Sequence, residues 1–250
     1  MIQYPISTIV RKPVPKNAFY KHLELNTRLR TRFVEDVEKI VWAAKYTPST
    51  LNVEDGTTVH EIVFFEVTVK AEDISEEIFL TIDKMMPRHV VFVLVYEDRC
   101  RLLLNYKEWA DKEKGTFNVV KTFCTSWQPS EGINLTIEGS TMDKIYESFA
   151  GQVSGFGTNN ATDTRRIIAI ENEIATKQKL AEALQKKIRK EKQFARQVEM
   201  NTEARALKRE IGRLKEELKK IKEELDVESM LVQFVDIINT KKIAENGLYG

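Results

Sequence analysis

Three residues carried on or beside one apolar, β-branched run could build the acid-and-lysine centre of a metal-dependent nuclease: Glu61, Glu66 and Lys70, in the segment 59–70. Such a centre places carboxylates on one face of a strand, where they hold a divalent cation beside a lysine. Glu66 and Lys70 do share a face by the period of two, but they stand four residues apart rather than two. No Pro-Asp pair precedes them. The plain alternative is that charges flank an apolar strand for solubility. A second polar cluster joins Asp83 and Lys84 to Pro87, Arg88 and His89, where a helix is expected to end and a strand to begin. On the plain reading Asp83 and Lys84 face solvent while Ile82 packs, and Arg88 and His89 complement the helix C-terminus. His22 and His60 are isolated, and three histidines with two cysteines form no metal-ligand spacing, so no metal and no cofactor are expected. Ser126 and Ser130 have no recognisable His and Asp partners, and no Gly-rich loop precedes a lysine as a phosphate cradle does.

Phosphate binding needs only clustered cations, and two clusters exist. Lys12, Lys16, Lys21, Arg28, Arg30 and Arg32 are interleaved with Phe19, Tyr20 and Phe33, while Lys186, Lys187, Arg189, Lys190 and Lys192 surround Glu191 alone. Both can touch a nucleic-acid backbone without sequence preference. The whole chain has a net charge of only +1, so it is no polycation, and DNA contact is expected only as an auxiliary to another partner.

The elements that must position these residues are legible in outline. Residues 1–16, with three prolines, read as an extended arm. Asn17 can cap a helix through about residue 44, burying Phe19, Leu23, Leu29, Phe33, Val37, Ile40 and Val41. Strands are expected at 59–69, 90–96, 100–106, 119–127 and 135–138, and helices at 75–86, stopped by Pro87, and at 141–149. This order predicts an α+β domain over residues 1–150, a mixed or antiparallel sheet with flanking helices on one face. Residues 151–163 read as a Gly-rich linker.

Residues 164–226 contain no proline and one glycine, and their apolar residues recur at three-then-four spacing, as in a coiled coil. Leu207, Ile211, Leu214, Leu218, Ile221 and Leu225 form the stronger seam and the expected partner-binding stripe. The register of the upstream seam (Ile167, Ile174, Ala181, Ile188) is offset by two residues from that of the downstream one (Ala204, Ile211, Leu218, Leu225). One long helix with a local irregularity is the favoured account. A homodimer would then cover its seam. A hairpin breaking near 200–203, with Asn201 or Thr202 as N-cap, is the other. Residues 227–250 read as an apolar helix and a tail. Two cysteines give no disulfide framework, and no run approaches 18 apolar residues, which predicts a soluble, cytoplasmic protein with no membrane contact.

Three segments then resemble the landmarks of a bacterial family, domain of unknown function 4391: 33–42 (FVEDVEKIVW), 82–94 (IDKMMPRHVVFVL) and 192–201 (KQFARQVEMN). At the third, the family pattern has asparagine after the phenylalanine, where this chain has Ala195. The resemblance implies no agreed activity; it implies neighbours of type III restriction-modification and helicase type. The leading expectation is a non-enzymatic accessory or scaffold protein of such an antiviral defence complex. It would dock on a restriction or helicase subunit through the domain and assemble through the arm. A metal-dependent nuclease subunit using Glu66 and Lys70, and a non-specific DNA-binding module, are the alternatives.

Overall fold

The computed structural model describes residues 2–22, 26–155 and 161–246, and the chain divides into two compact units, essentially residues 1–155 and 162–250. The first unit is built on a seven-stranded, mostly antiparallel sheet: β1 (Ile9–Pro13), β2 (Val37–Tyr46), β3 (Ile62–Val69), β4 (His89–Tyr96), β5 (Arg99–Asp111), β6 (Thr116–Cys124) and β7 (Gln128–Pro129). The first six lie side by side in chain order, and β7 pairs with β5. Only β3 and β4 are parallel, with Phe64 beside Val91 and Glu66 beside Val93. Parallel neighbours cannot be joined by a tight turn. Here the crossover is α4 (Glu76–Met85), which follows the short helices α1 (Lys16–His22), α2 (Thr27–Asp36) and α3 (Pro48–Leu51).

Alternation along the central strands divides the core. Phe65, Val67, Phe92 and Leu94 face α2 and α4, joining Leu29, Phe33, Ile78, Phe79 and Ile82 in one buried cluster. Phe64 points the other way, to Tyr4, Tyr46 and Phe149, with ring centroids 5.3, 4.7 and 5.9 Å away. Phe149 belongs to α5 (Met142–Ser154), which Thr141 caps by accepting from Lys144 N at 3.3 Å. Helices therefore cover both faces of the sheet, not one. Each face of a central strand this apolar has to be removed from water.

Several expected elements differ. The helix expected over 17–44 is two short helices, α1 and α2, the second capped by Asn26 rather than Asn17, followed by strand β2. Strand β2 carries register shifts at Val37/Lys39 and Trp42/Ala44, and each shift breaks the period of two. Four of its five buried residues, Val37, Ile40, Ala43 and Ala44, consequently fall at helix-like intervals, which is why the pattern reads as helical. The extended N-terminal arm is docked on the sheet: Ile2 and Tyr4 are buried, and β1 pairs with β2 through a bulge at Arg11 (φ 51°). No strand forms at 135–138. There the main chain of Thr136 is met by the Gln152 side-chain amide, at 2.9 Å to its N–H and 2.8 Å to its carbonyl, which substitutes for a strand partner. Strand β5 runs to Asp111, beyond the expected end at 106. Helix α5 continues to Ser154, so the first part of the expected linker is helical, ending at Gly155 in the left-handed region (φ 69°). Residues 156–160 of that linker, Leu23 and the tail at 247–250 lie outside the described residues.

The second unit is two helices, α6 (Ala161–Ile188) and α7 (Phe194–Asn246). The single long helix is thus replaced by a hairpin, and its turn is at 189–193, not at 200–203. Asn201 and Thr202 are mid-helix, their side chains donating back to the carbonyls of Gln197 and Val198 at 2.8 and 3.0 Å. Arg166–Glu217 (3.0 Å), Lys222–Glu171 (3.0 Å) and Lys177–Glu210 (2.6 Å) join the two helices in antiparallel order. The two-residue register offset has its cause here, because the two seams belong to different helices. Like charges at i,i+3 and i,i+4 among Lys186, Lys187, Arg189 and Lys190 disfavour continuing α6. Glu191 then organises the turn that precedes α7, its Oε1 accepting from Lys192 N and Gln193 N at 2.8 and 2.9 Å.

Candidate functional site

Because β3 and β4 are parallel, their first residues share one end of the sheet, and antiparallel β5 and β6 bring Trp109 and Phe117 to the same end. These two residues are register partners, stacked at 4.0 Å between centroids. Together with Thr58, His60 and Glu61 before β3, and Pro87, Arg88 and His89 at the start of β4, they line a cleft of about 280 Å³. The floor beside it is charged. Lys107 of β5 and Asp83 of α4 are both 0% exposed, with Nζ 2.6 Å from Oδ1. The same Nζ donates to the carbonyls of Asp83 and Met86, each at 3.3 Å, and to that of Arg88. Lys107 therefore terminates α4 from outside the helix, at the pole where a cation is favourable. Burial pushes the Asp83 carboxyl up, against the pull of Lys107.

His89 is 1% exposed, edge-on to Tyr146 at 4.6 Å and to Phe117 at 5.0 Å. Burial, reinforced by the charge on Lys107, pushes its imidazole down to about 3, so the ring is neutral at pH 7. Its Nε2 has no hydrogen-bond partner among the described residues, nor has Trp109 Nε1. Tyr146 is tied down by donating to Asn105 O at 2.6 Å. The rim of the cleft is set by Asp143, at the start of α5, whose carboxylate accepts from the main-chain N–H of Thr57, Thr58 and Val59 at 2.7, 3.1 and 2.7 Å. Burial raises that carboxyl, but these donors more than offset it and hold it below the usual carboxylate range. Gly56 is required beside this clasp, since a Cβ there would lie 2.4 Å from Val59 O and 2.5 Å from Asp143 Oδ1.

The nominated catalytic residues are not brought together. Glu61 at the cleft lies 3.5 Å from Lys45 and 3.0 Å from Arg88 Nε. Glu66 is paired with Arg11 at 2.6 Å, and Lys70 donates to Val34 O at 2.9 Å. Asp83 faces inward rather than outward. It stands four residues after Phe79, on the buried face of α4, and this helical offset is the signal that the solvent-facing reading overlooked. Among the described residues no three His, Cys, Asp or Glu side chains are grouped as metal ligands. On the arm, Ile211, Leu214, Ile221 and Leu225 are buried, and Leu207 and Leu218 partly so. Lys186, Lys187, Arg189, Lys190 and Lys192 are all exposed around the turn.

The family model for a domain of unknown function, DUF4391, matches residues 2–211. The chain belongs to this family. No curated protein and no solved structure matches it. The DUF4391 match spans the entire sheet, both covering layers, α6 and the start of α7, so the arm's turn lies within the family's common part.

Sequence reasoning missed Lys107, Asn105, Trp109, Phe117, Asp143 and Tyr146. One signal existed: Leu103, Asn105 and Lys107 continue an inward-facing alternation into polar residues, which marks a buried polar pair. None of the rest is marked, because the partners come from separate elements. Among the described residues no helix is long and apolar enough to cross a membrane.

Proposed function

We propose that this chain is a non-enzymatic accessory protein that serves a larger assembly through its α+β domain and its helical arm. By the family resemblance, that assembly is a restriction or helicase complex of bacterial defence. Charge pairing is the observation that carries the reading. Each acid nominated for catalysis, Glu61, Glu66 and Asp83, is met by a cation of the chain itself. A carboxylate already balanced by Arg or Lys has little charge left to attract a divalent ion. The cleft also lies at the N-terminal ends of the parallel pair, whereas ligand sites in open α/β sheets lie at the carboxyl ends. In this reading α6 and α7 pack as an antiparallel coiled coil, and the arm's turn end is left for a partner.

The test is incubation of the purified full chain with single- and double-stranded DNA and with RNA, in magnesium or manganese. Intact substrates after hours at micromolar protein are expected. Divalent-dependent cleavage that Glu66→Ala abolishes would overturn the reading in favour of a nuclease subunit.

A further inference from the structure

Along the shaft of the hairpin, cations and carboxylates neutralise one another, as Arg166–Glu217, Lys177–Glu210 and Lys222–Glu171 do. The turn end is different. Lys186, Lys187, Arg189, Lys190, Lys192 and Arg196 surround Glu191 alone, and all six cations are exposed. No salt bridge holds any of them among the described residues, and one attraction, of Arg196 for the Glu191 carboxylate, offsets a single charge of the six. Compensation of the helix end accounts for Lys186 and Lys187, in the last turn of α6. It does not account for Lys192 and Arg196, which stand at the opposite pole of α7, where added positive charge is unfavourable.

Within this field stands an aromatic ring that the fold does not use. Phe194 is 79% exposed, and Val198, one turn on and on the same face, is 49% exposed. A single exposed apolar residue is ordinary on a protein surface. A phenylalanine in the first turn of α7 is a more specific arrangement, because helical side chains lean toward the N-terminus and so set this flat apolar face toward the turn that carries Lys190 and Lys192, while Arg196, two residues on, lies on another side of the helix. A single-stranded nucleic acid presents the complement, unstacked bases alternating with phosphates. A duplex hides its base faces and would have no use for the ring. A membrane surface calls for a broad apolar stripe, and Gln193, Gln197, Glu199 and Asn201 interrupt any such stripe here.

We propose that the turn end of the arm, residues 186–198, binds single-stranded nucleic acid, with phosphates on the lysines and arginines and one base stacked on Phe194. The proposal rests on the reading of the arm as the contact element and names its ligand. Binding is sequence-tolerant, since the recognition consists of charge and a π-face.

The full chain is titrated by fluorescence anisotropy into labelled 20-nucleotide oligo(dT) and oligo(U), a 20-base-pair duplex, phosphatidylserine-containing vesicles and polyglutamate. Tighter binding of the single strands is expected, with affinity falling with salt at a log–log slope of about −0.7 per phosphate neutralised. Phe194→Ala weakens single-strand binding about 5- to 100-fold and leaves the salt slope unchanged. Lys190→Glu with Lys192→Glu reduces the slope itself. Both sites are exposed, so unchanged melting curves confirm that the variants are folded. Undetectable binding at 50 mM salt, equal affinity for duplex, preference for vesicles or polyglutamate, or an unaltered affinity in Phe194→Ala would each overturn the proposal. The oligonucleotides are run on denaturing gels afterwards. Cleavage would sink the non-enzymatic reading without touching this one, and absence of binding would do the reverse.

Discussion

Lys107 donates from one Nζ to the Asp83 carboxylate and to the carbonyls of Asp83, Met86 and Arg88 around the end of α4, so its loss would take a partner from each, although Asp83 O would keep the N–H of Met86. Lys107→Met keeps most of the side-chain volume and removes the charge. It is expected to cost about 3–5 kcal/mol, the usual penalty for leaving a buried charge without its partner. Adding Asp83→Leu removes the stranded carboxylate, and the double variant should recover part of that loss. Urea midpoints of the two single variants and the double would give the coupling. A cost below about 1 kcal/mol for Lys107→Met would mean that water reaches the pair. This pair was half legible in the sequence. Its helix partner lies on the apolar side of α4 by spacing alone, but nothing local to Asp83 announces a lysine 24 residues downstream on a different element.

At the scale of elements, the best-read parts are β3 and β4, continuous apolar, β-branched runs, and α4, whose inward residues Ile78, Phe79 and Ile82 recur at helical spacing before Pro87. The failures have physical causes. Strand β2 loses its alternation at two register shifts, and 135–138 looks like a strand but finds its hydrogen bonds in a glutamine side chain. The hairpin turn has neither Gly nor Pro, because charge repulsion and the hydrogen bonds of the Glu191 carboxylate within the turn take their place. Asp143 is the residue that fastens the loop before β3 to α5, and its clasp makes a pH-dependent prediction. A carboxyl held below its usual range stabilises the fold above that range, and the contribution disappears as pH falls through the folded-state value. Asp143→Asn should therefore lower stability by about 1–2 kcal/mol at pH 7, after allowance for its partial exposure. The gap to the wild type should narrow by pH 3, below the ordinary carboxylate value, and close only as pH falls through the lowered folded-state value. Thermal melts at both pH values decide it, and an equal deficit at both would show that the charge is not the agent.

For the whole molecule, the hairpin removes the argument for a second copy, because a seam opposed by a helix of the same chain needs no homodimer to cover it. Light scattering after size exclusion should give the 29.0 kDa monomer at micromolar concentrations. A mass twice that value, reduced to the monomer by Leu214→Asp with Leu218→Asp, would show that the stripe pairs between chains instead. The first strand carries a different kind of consequence. An outermost strand offers a row of open main-chain groups on which any extended peptide, including another copy of the same sheet, can add itself. On β1 that row is broken by the Arg11 bulge and ends at Pro13, which has no N–H to offer. On this side the sheet is finished, and growth by edge-to-edge addition, the first step toward fibrous aggregates, is blocked by two residues of its shortest early strand.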